Sequence, residues 1–530
     1  MKKFFTSVAL ALCALSMNAK DYTCPLTISM SGTDMPVGNI NVTVDKQDNG
    51  KYTLKLLNFN IGGYMPVGNI VVEDVEPTEC GNTIMLNAQK TIQITAGEGE
   101  GEWMGPGLGD VNILFKGELK GDKFNALLNI PVAGSLIVGV KLGDTADTMC
   151  QLPNAGFENF HTAKYDKYTS DEPNGWHTFM SATGSLKSAV ATAIHTWISE
   201  DVRKSDQEDA STNTKCVKIA STPVKFMGTA VASANGTITT GQLQAGSAIA
   251  SDKKNCAFLD FKNKEIDGNG DPFYTVLNNR PDSMKVWVKY HAGEGNKNPQ
   301  ATVSALLTNG EYIQDPEDAT YASNIIAKAS NTSIASTDEW QQISVPFTYS
   351  DSETKAMPKA ALVTFSTCAV PSGGSKSEKD PDVLYVDDVE LVYNAGFKSI
   401  KFNNEELTSF DIDDDGNGTL TIENYNKPIN VNDFDVEAEG AGAFITKKIT
   451  KDDEAVYVAL TVTSNDLKNS IVRTITFPGA TTAIKAPLTS TISNNSNTII
   501  YNIQGQRISE AQPGQVVIVK KGGKAVKVVK

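Results

Sequence analysis

The sequence predicts an all-β, multidomain protein, and three observations carry that expectation. Short segments in which apolar and polar residues alternate recur along most of the chain, as in strands with one buried face. Turn pairs such as Asn49-Gly50, Gly121-Asp122 and Pro513-Gly514 punctuate them. The pattern breaks at Gln151-Leu152-Pro153 and again near Ala395. These breaks divide the chain into a small antiparallel barrel (20–150), a β-sandwich (151–394), a smaller sandwich (395–478), a linker (479–497) and a short C-terminal β-module (498–530). One stretch, Lys187 to Val202, reads as a helix.

At roughly 150 residues per domain, 530 residues suggest three or four domains. Lys and Arg number 47 against 62 Asp and Glu, a formal charge of −15. A chain this acidic does not bind phosphate backbones generally, because counterion release needs clustered cations. Nucleic acid and anionic membrane surfaces are therefore excluded as partners. The 42 Gly and 21 Pro are an average share, which excludes collagen-like and wholly disordered classes.

The chain opens with Lys2-Lys3, an apolar run from Phe4 to Leu15, and Ser16-Met17-Asn18-Ala19. A basic head, a short apolar segment and a small exit residue read as a signal peptide (1–19) cleaved after Ala19. The run is too short for a permanent membrane span, and no later stretch reaches the ~18 apolar residues that one needs. The expected location is exported: periplasm, cell surface or secreted. Leu12 before Cys13 departs from a lipobox. None of Cys24, Cys80, Cys150, Cys216, Cys256 and Cys368 forms a CxxC pair, so zinc and redox motifs have no support there. Export permits disulfides, while buried free thiols fit the spacing equally. In a closed up-and-down barrel Cys24 and Cys150 would lie at one rim, where a disulfide is geometrically possible.

In the barrel segment Ile40, Val42 and Val44 alternate, Asn49-Gly50 suits a two-residue hairpin turn, and Tyr52, Leu54 and Leu56 return. Val111, Ile113 and Phe115 lead through Gly121 to Phe124, Ala126, Leu128 and Ile130. The hexapeptide Met35-Pro36-Val37-Gly38-Asn39-Ile40 recurs as Met65-Pro66-Val67-Gly68-Asn69-Ile70, which predicts repeated strand entries. About eight such strands fit a closed barrel, which leaves no edge exposed. Through Tyr52-Thr53-Leu54, Asn58-Phe59 and Val67-Gly68-Asn69-Ile70-Val71-Val72, the segment resembles the calycin-like barrel domains of exported Gram-negative proteins. That resemblance implies either a barrel that holds an apolar ligand or one filled by its own side chains.

Asn154-Ala155-Gly156-Phe157-Glu158 opens the second module and Tyr385-Val386-Asp387-Asp388-Val389 closes it. Both ends resemble those of carbohydrate-binding jelly-roll modules. With Gly236-Thr237-Ile238-Thr239-Thr240-Gly241 and Arg280-Pro281-Asp282-Ser283-Met284, the segment also resembles the carbohydrate metabolism domain family of exported bacterial proteins. The jelly-roll resemblance implies that Glu158 meets Asp387, beside Asp388, around a structural Ca²⁺. Such an ion takes six to eight hard oxygens, and clustered carboxylates supply them.

The third module, with Phe397 to Phe402, Val456 to Val462 and Val472 to Phe477, reads as an immunoglobulin-like sandwich. Within it, Asp411-x-Asp413-x-Asp415-Gly416 has the spacing of half an EF-hand. Ile422 stands where the bidentate Glu would be, so a solvated hairpin turn is the expectation. The last 33 residues resemble C-terminal sorting domains of type IX secretion substrates.

Catalytic signatures are missing: the sequence has no GxSxG and no HExxH, and Gly373-Gly374-Ser375-Lys376-Ser377 lacks the phosphate-loop core. His161, His177, His195 and His291 are scattered and read as surface or hydrogen-bonded side chains. Glycoside hydrolysis needs two carboxylates about 5 to 10 Å apart, which a sequence does not display. Sugar recognition rests on aromatic faces with polar groups for the hydroxyls, and the candidates are Trp287, Trp176 and Trp340. Alternation in Val286-Trp287-Val288-Lys289-Tyr290 puts Trp287 and Lys289 on one face, towards solvent. The expected function is non-catalytic glycan binding or a structural role at the cell envelope. The alternative is a glycoside hydrolase housed in residues 151–394, and a weaker one is apolar-ligand carriage by the barrel.

Overall fold

The computed structural model describes residues 19–30, 32–61, 65–99, 102–133, 136–192, 194–204, 214–350, 356–480, 499–502, 507–508, 516–521 and 524–529. The segment expected to be a signal peptide, up to residue 18, and residues 481–498 of the expected linker lie outside them. The chain forms two compact units. The first runs to Gly396 and includes Ala438–Phe444 and Val462–Ile471; the second comprises Phe397–Glu437, Ile445–Thr461 and the residues from Val472 on.

Nine strands open unit 1: β1 (Ala19–Met30), β2 (Thr33–Lys46), β3 (Tyr52–Ile61), β4 (Met65–Val75), β5 (Pro77–Cys80), β6 (Thr83–Gln93), β7 (Asp110–Lys120), β8 (Lys123–Ala133) and β9 (Leu136–Leu142). Their order is β4-β3-β2-β1-β9-β8-β7-β6-β5. The first and last strands pair antiparallel, Ile28 opposite Val140, and Asn69 bridges Thr95 where β4 approaches the end of β6. The ring is therefore nearly closed. Every strand except β5 sends apolar side chains into one buried cluster, among them Leu26, Val42, Leu54, Ile70, Ile113, Leu128 and Val140. Fully burying each such side chain stabilises by about 1.5–3 kcal/mol. These side chains line the interior as one buried cluster, which favours the filled-core expectation over apolar-ligand carriage.

Both hexapeptide copies make the same bulge. Leu26 faces Gly38 while Thr27 faces Pro36, skipping Val37. Phe59 faces Gly68 while Asn60 faces Pro66, skipping Val67. Gly38 and Gly68 have φ of 114° and 122°, conformations that only glycine adopts without strain. The Asn49-Gly50 turn is longer than expected. Lys46 is the last residue to pair with Tyr52, and the Gln47 N–H donates to Lys51 O at 2.8 Å to close a five-residue loop.

The outer faces of β7 and β8 are not solvated. Leu114 and Leu127 join Met149, Cys150, Trp176, Val286 and Phe365 in a second buried cluster, so the sequence break at 150 is not a break in the core. Lys116 is the outlying member of that face, 1% exposed. With the Asn279 amide oriented to satisfy its neighbours, its oxygen accepts from Lys116 Nζ at 3.2 Å. Burial holds the Lys116 pKa below its ordinary 10.5, against opposing pulls from Cys150 and Asp466. An unfolded lysine binds its proton more readily, so this side chain makes stability rise with pH up to about 10.5. Lys116→Met is expected to be about 1 kcal/mol or more stabler at neutral pH, with the advantage shrinking as pH approaches 10. Chemical denaturation of both proteins across pH 7–10 measures it; a pH-independent difference would show that Lys116 does not titrate there.

The sandwich of unit 1 has a five-stranded sheet in the order Thr196–Glu200, Lys215–Ala220, Val383–Val392, Ser283–His291, Gln341–Pro346. It faces a second sheet built on Ala360–Ser366, Gln300–Thr308 and Ile325–Ala335. Val286, Val288 and Tyr290 of one sheet and Val303, Ala305 and Phe365 of the other are fully buried between them. The expected helix at Lys187–Val202 shortens to Lys187–Val190. The β-branched and aromatic run Thr196-Trp197-Ile198 instead pairs with Lys215–Ala220, as such residues prefer.

In unit 2, Phe402, Tyr425, Phe434 and Phe477 pack ring against ring. Asp413 caps an exposed hairpin turn by accepting the Asn417 N–H at 2.7 Å. Four short strands between Ile499 and Val529 form a separate sheet. The six described cysteines are buried and form no disulfide with one another. Cys24 and Cys150 lie in different buried clusters, which corrects the disulfide expectation.

Candidate functional site

The opening motif of the sandwich is stitched to its closing strand. The Gln151 side chain donates to Leu391 O at 2.8 Å and accepts the Leu391 N–H at 2.7 Å, and the Val389 N–H donates to Ala155 O at 2.9 Å. Asn154 closes its own loop by bonding both backbone groups of Asn159. A cleft of about 680 Å³ lies over this seam, lined by Trp287, Gln342, Asn154, Asn159, Asp388 and Glu390 among others.

Trp287 reaches the cleft because period-two alternation holds: Val286, Val288 and Tyr290 are fully buried while Trp287 and Lys289 sit on the other face. Across that face Trp197 stands opposite Lys218, Lys218 opposite Tyr385, and Tyr385 opposite Lys289. Lys289 Nζ lies 4.8 Å above the Tyr385 ring and Lys218 Nζ 5.6 Å above Trp197. Trp287 faces Asp387 and, on its other side, Gln342.

A bulge breaks parity next to Trp287. Lys285 pairs with Glu390 and Trp287 with Asp387, so the closing strand has an extra residue there, and Asp388 takes φ 47°. Consecutive acids that would point to opposite faces thereby both turn towards one guanidinium. Arg203 Nη2 lies 3.2 Å from Asp388 Oδ2 and 3.5 Å from Asp387 Oδ2. It also pairs with Asp201, which accepts the Arg203 Nε–H at 3.1 Å and its backbone N–H at 2.9 Å. The guanidinium carbon lies 4.3 Å from the Trp287 ring centre and 4.6 Å from that of Trp340. Burial pushes the Asp201 carboxyl up, but its hydrogen-bonded contacts with Asp387 and Arg203 prevail and hold it below the ordinary carboxylate value.

The structure thus brings Trp287, Trp340, Asp387 and Asp388 together and leaves two sequence candidates outside. Glu158 is not the third acid. Its carboxylate accepts the Lys215 N–H at 3.1 and 3.2 Å, and Asp201 joins Asp387 and Asp388 within 4.8 Å instead. Trp176 is fully buried, 5.2 Å from Phe157 and 5.9 Å from Phe365. It presents no ring face to a sugar, and its place as a stacking residue is corrected. Trp340 packs edge-on to Tyr385 at 6.3 Å as well as on Arg203. Sequence reasoning missed Asp201 and Arg203, which follow a strand without motif or periodicity. Of the histidines, His195 is buried, its Nδ1 bonded to Ala220 O at 3.0 Å, and burial pulls it down to about 4. His291 pairs at the surface with Asp380 at 2.7 Å.

Residues 19–142 match the calycin-like beta-barrel domain family, so the nine-stranded ring is a calycin-like barrel. No curated protein matches the chain. Among solved structures, a candidate glycoside hydrolase from Bacteroides vulgatus ATCC 8482 is 18% identical. The match covers 45% of this chain and 96% of that one at a TM-score of 0.32. A candidate glycoside hydrolase from Bacteroides thetaiotaomicron VPI-5482 is 14% identical, over 51% and 79% of the two chains at 0.30. A structure of carbohydrate-binding modules of the beta-sandwich superfamily is 10% identical, over 71% and 98% at 0.20. At these scores no residue correspondence passes from those proteins to this one.

Proposed function

We propose that this is an exported cell-envelope protein whose sandwich binds a glycan without cleaving it. The observation that carries the reading is the cleft in which Trp287 meets Gln342, Asn154, Asn159, Asp388 and Glu390. A pyranose offers an apolar C–H face and a rim of hydroxyls. An indole face takes the first, and amides and carboxylates take the second. The volume lies within the usual range of about 300–1,000 Å³ for small-ligand sites.

Trp287→Ala is expected to weaken glycan binding at least about tenfold, the loss of roughly 1.4 kcal/mol. Trp197→Ala, on the same sheet but outside the cleft lining, should leave it within about twofold. A glycan array followed by calorimetry on the best hit reads both. Equal loss from the two variants, or none from Trp287→Ala, would remove the cleft from the binding reading.

The glycoside hydrolase reading keeps one specific support: Asp388 and Glu390 line the same cleft. Incubating the bound glycan with wild type and with Glu390→Gln separates the two. New reducing ends from wild type alone would make the site catalytic, and their absence supports binding only.

A further inference from the structure

Away from the cleft, four side chains direct unpartnered atoms at one another. His161 and Glu172 are cross-strand neighbours in the hairpin of Phe160–Tyr165 and Tyr168–Pro173. His177 follows that hairpin, and Asp267 opens the loop Asp267-Gly268-Asn269-Gly270-Asp271. His161 Nε2 lies 3.5 Å from Glu172 Oε2 and 3.5 Å from Asp267 Oδ2, and His177 Nε2 lies 3.5 Å from the same Asp267 oxygen. These four atoms are buried and have no hydrogen-bond partner. The side chains of His177 and Glu172 are fully buried, with Asp267 1% and His161 11% exposed.

From this geometry we propose that His161, Glu172, His177 and Asp267 bind one divalent transition-metal ion, best matched by Zn²⁺. The separations decide against a simple hydrogen-bonded cluster. Protein N–H···O bonds run about 2.7–3.2 Å, shorter than all three distances. Ligands bound to zinc at about 2.0–2.2 Å in tetrahedral array stand about 3.3–3.6 Å apart. The three histidine–carboxylate separations match that spacing, and the row Glu172, His161, Asp267, His177 would draw together around the ion for the remaining pairs to reach it. Two imidazole nitrogens with two carboxylate oxygens suit zinc, whereas Ca²⁺ and Mg²⁺ prefer an all-oxygen set.

Hydrogen bonds already hold three of the four ligands in place, and the His177 ring packs 4.6 Å from that of Phe273. His161 Nδ1 lies 3.1 Å from Asn174 Oδ1. A proton on that nitrogen leaves the Nε2 lone pair facing inward, the usual arrangement for a metal-bound histidine. Glu172 Oε1 accepts the Thr178 N–H at 2.8 Å and the Thr178 hydroxyl, which leaves Oε2 for the ion. Asp267 Oδ1 accepts the N–H groups of Asn269 at 2.9 Å and Asp271 at 2.8 Å, leaving Oδ2. Asp271 offers a further carboxylate oxygen within 4.8 Å of ligand atoms of His161 and Asp267, and its Oδ2 accepts the Gly175 N–H at 2.9 Å. Four protein ligands in a closed pocket make a structural site. The ion pins the hairpin and the 267–271 loop to the segment around His177.

The test uses the full chain. Metal analysis of the purified protein should find about one zinc per chain. Removing it with 1,10-phenanthroline should lower the melting temperature by about 5 °C or more, reversibly on adding Zn²⁺ and not on adding Ca²⁺. Stripped protein titrated with Co²⁺ should develop the intense visible band of a four-coordinate ion. Asp267→Asn and His177→Gln should each weaken Zn²⁺ binding at least about a hundredfold. If a variant fails to fold, the wild-type titrations still decide. Stripped protein that neither binds Zn²⁺ saturably nor gains stability from it overturns the site. So do variants that bind it as tightly as wild type.

Discussion

Trp176→Ala is expected to cost about 3–5 kcal/mol of stability, the range for truncating a fully buried aromatic side chain. The indole lies between Phe157 and Phe365, and its Nε1–H donates to Pro153 O at 3.0 Å. Alanine removes the ring contacts and leaves that carbonyl without its donor, which adds about 1–3 kcal/mol of desolvation cost within the total. Trp176→Phe keeps much of the apolar area and loses only the bond, so it should fall between the two proteins. Trp197→Ala should cost under about 1 kcal/mol, since that ring is 37% exposed. Urea denaturation followed by tryptophan fluorescence ranks the series. Glycan binding at low temperature should survive in the folded fraction of Trp176→Ala. Lost binding without lost stability would return Trp176 to the list of sugar-stacking residues.

What the sequence made legible was whatever alternation controls. Val42 and Val44 point into the barrel and Trp287 points out of the sandwich because strand parity is local and needs no knowledge of the rest of the chain. The repeated hexapeptide was legible for a related reason, since one local sequence builds the same glycine bulge twice. Parity also explains the failures. Trp176 follows Gly175 in a turn, where no period tells in from out. Asp388 sits on a bulge that reverses the parity of the strand entering it, so counting residues along the strand misassigns the acids after Asp387. Lys116 is outward by alternation, and what covers it comes from Cys150, Asn279 and Asp466, remote in sequence. The four ligands of the proposed metal site are spread over more than a hundred residues, from His161 to Asp267. No local spacing joins the histidines to the aspartate loop, and only the folded hairpin does.

Arg203→Ala is expected to destabilise unit 1 by about 3 kcal/mol, because truncating one partner of a buried ion pair leaves charge without compensation. Asp201 and Asp387 are fully buried at the contact and the Arg203 side chain is 19% exposed, so solvent screens the lost attraction only weakly. The guanidinium also lies on Trp287 and Trp340, contacts worth about 0.5–2 kcal/mol each where water is excluded. Lysine restores the charge but neither the forked pairing with Asp201 nor the flat stack on two indoles, so Arg203→Lys should recover less than half of the loss. A double-mutant cycle of Arg203→Ala with Trp340→Ala should show coupling of about 0.5–2 kcal/mol. Freed of the guanidinium, the carboxylates of Asp201, Asp387 and Asp388, within 4.8 Å of one another, form the better oxygen cluster for Ca²⁺. Calcium should therefore raise the melting temperature of Arg203→Ala more than that of wild type. Two results would count against this account: a cost below about 1 kcal/mol, typical of an exposed pair, or equal calcium responses in the two proteins. The first would mean that Arg203 is not the counterion of the buried acids, and the second that the guanidinium and the metal do not compete for them.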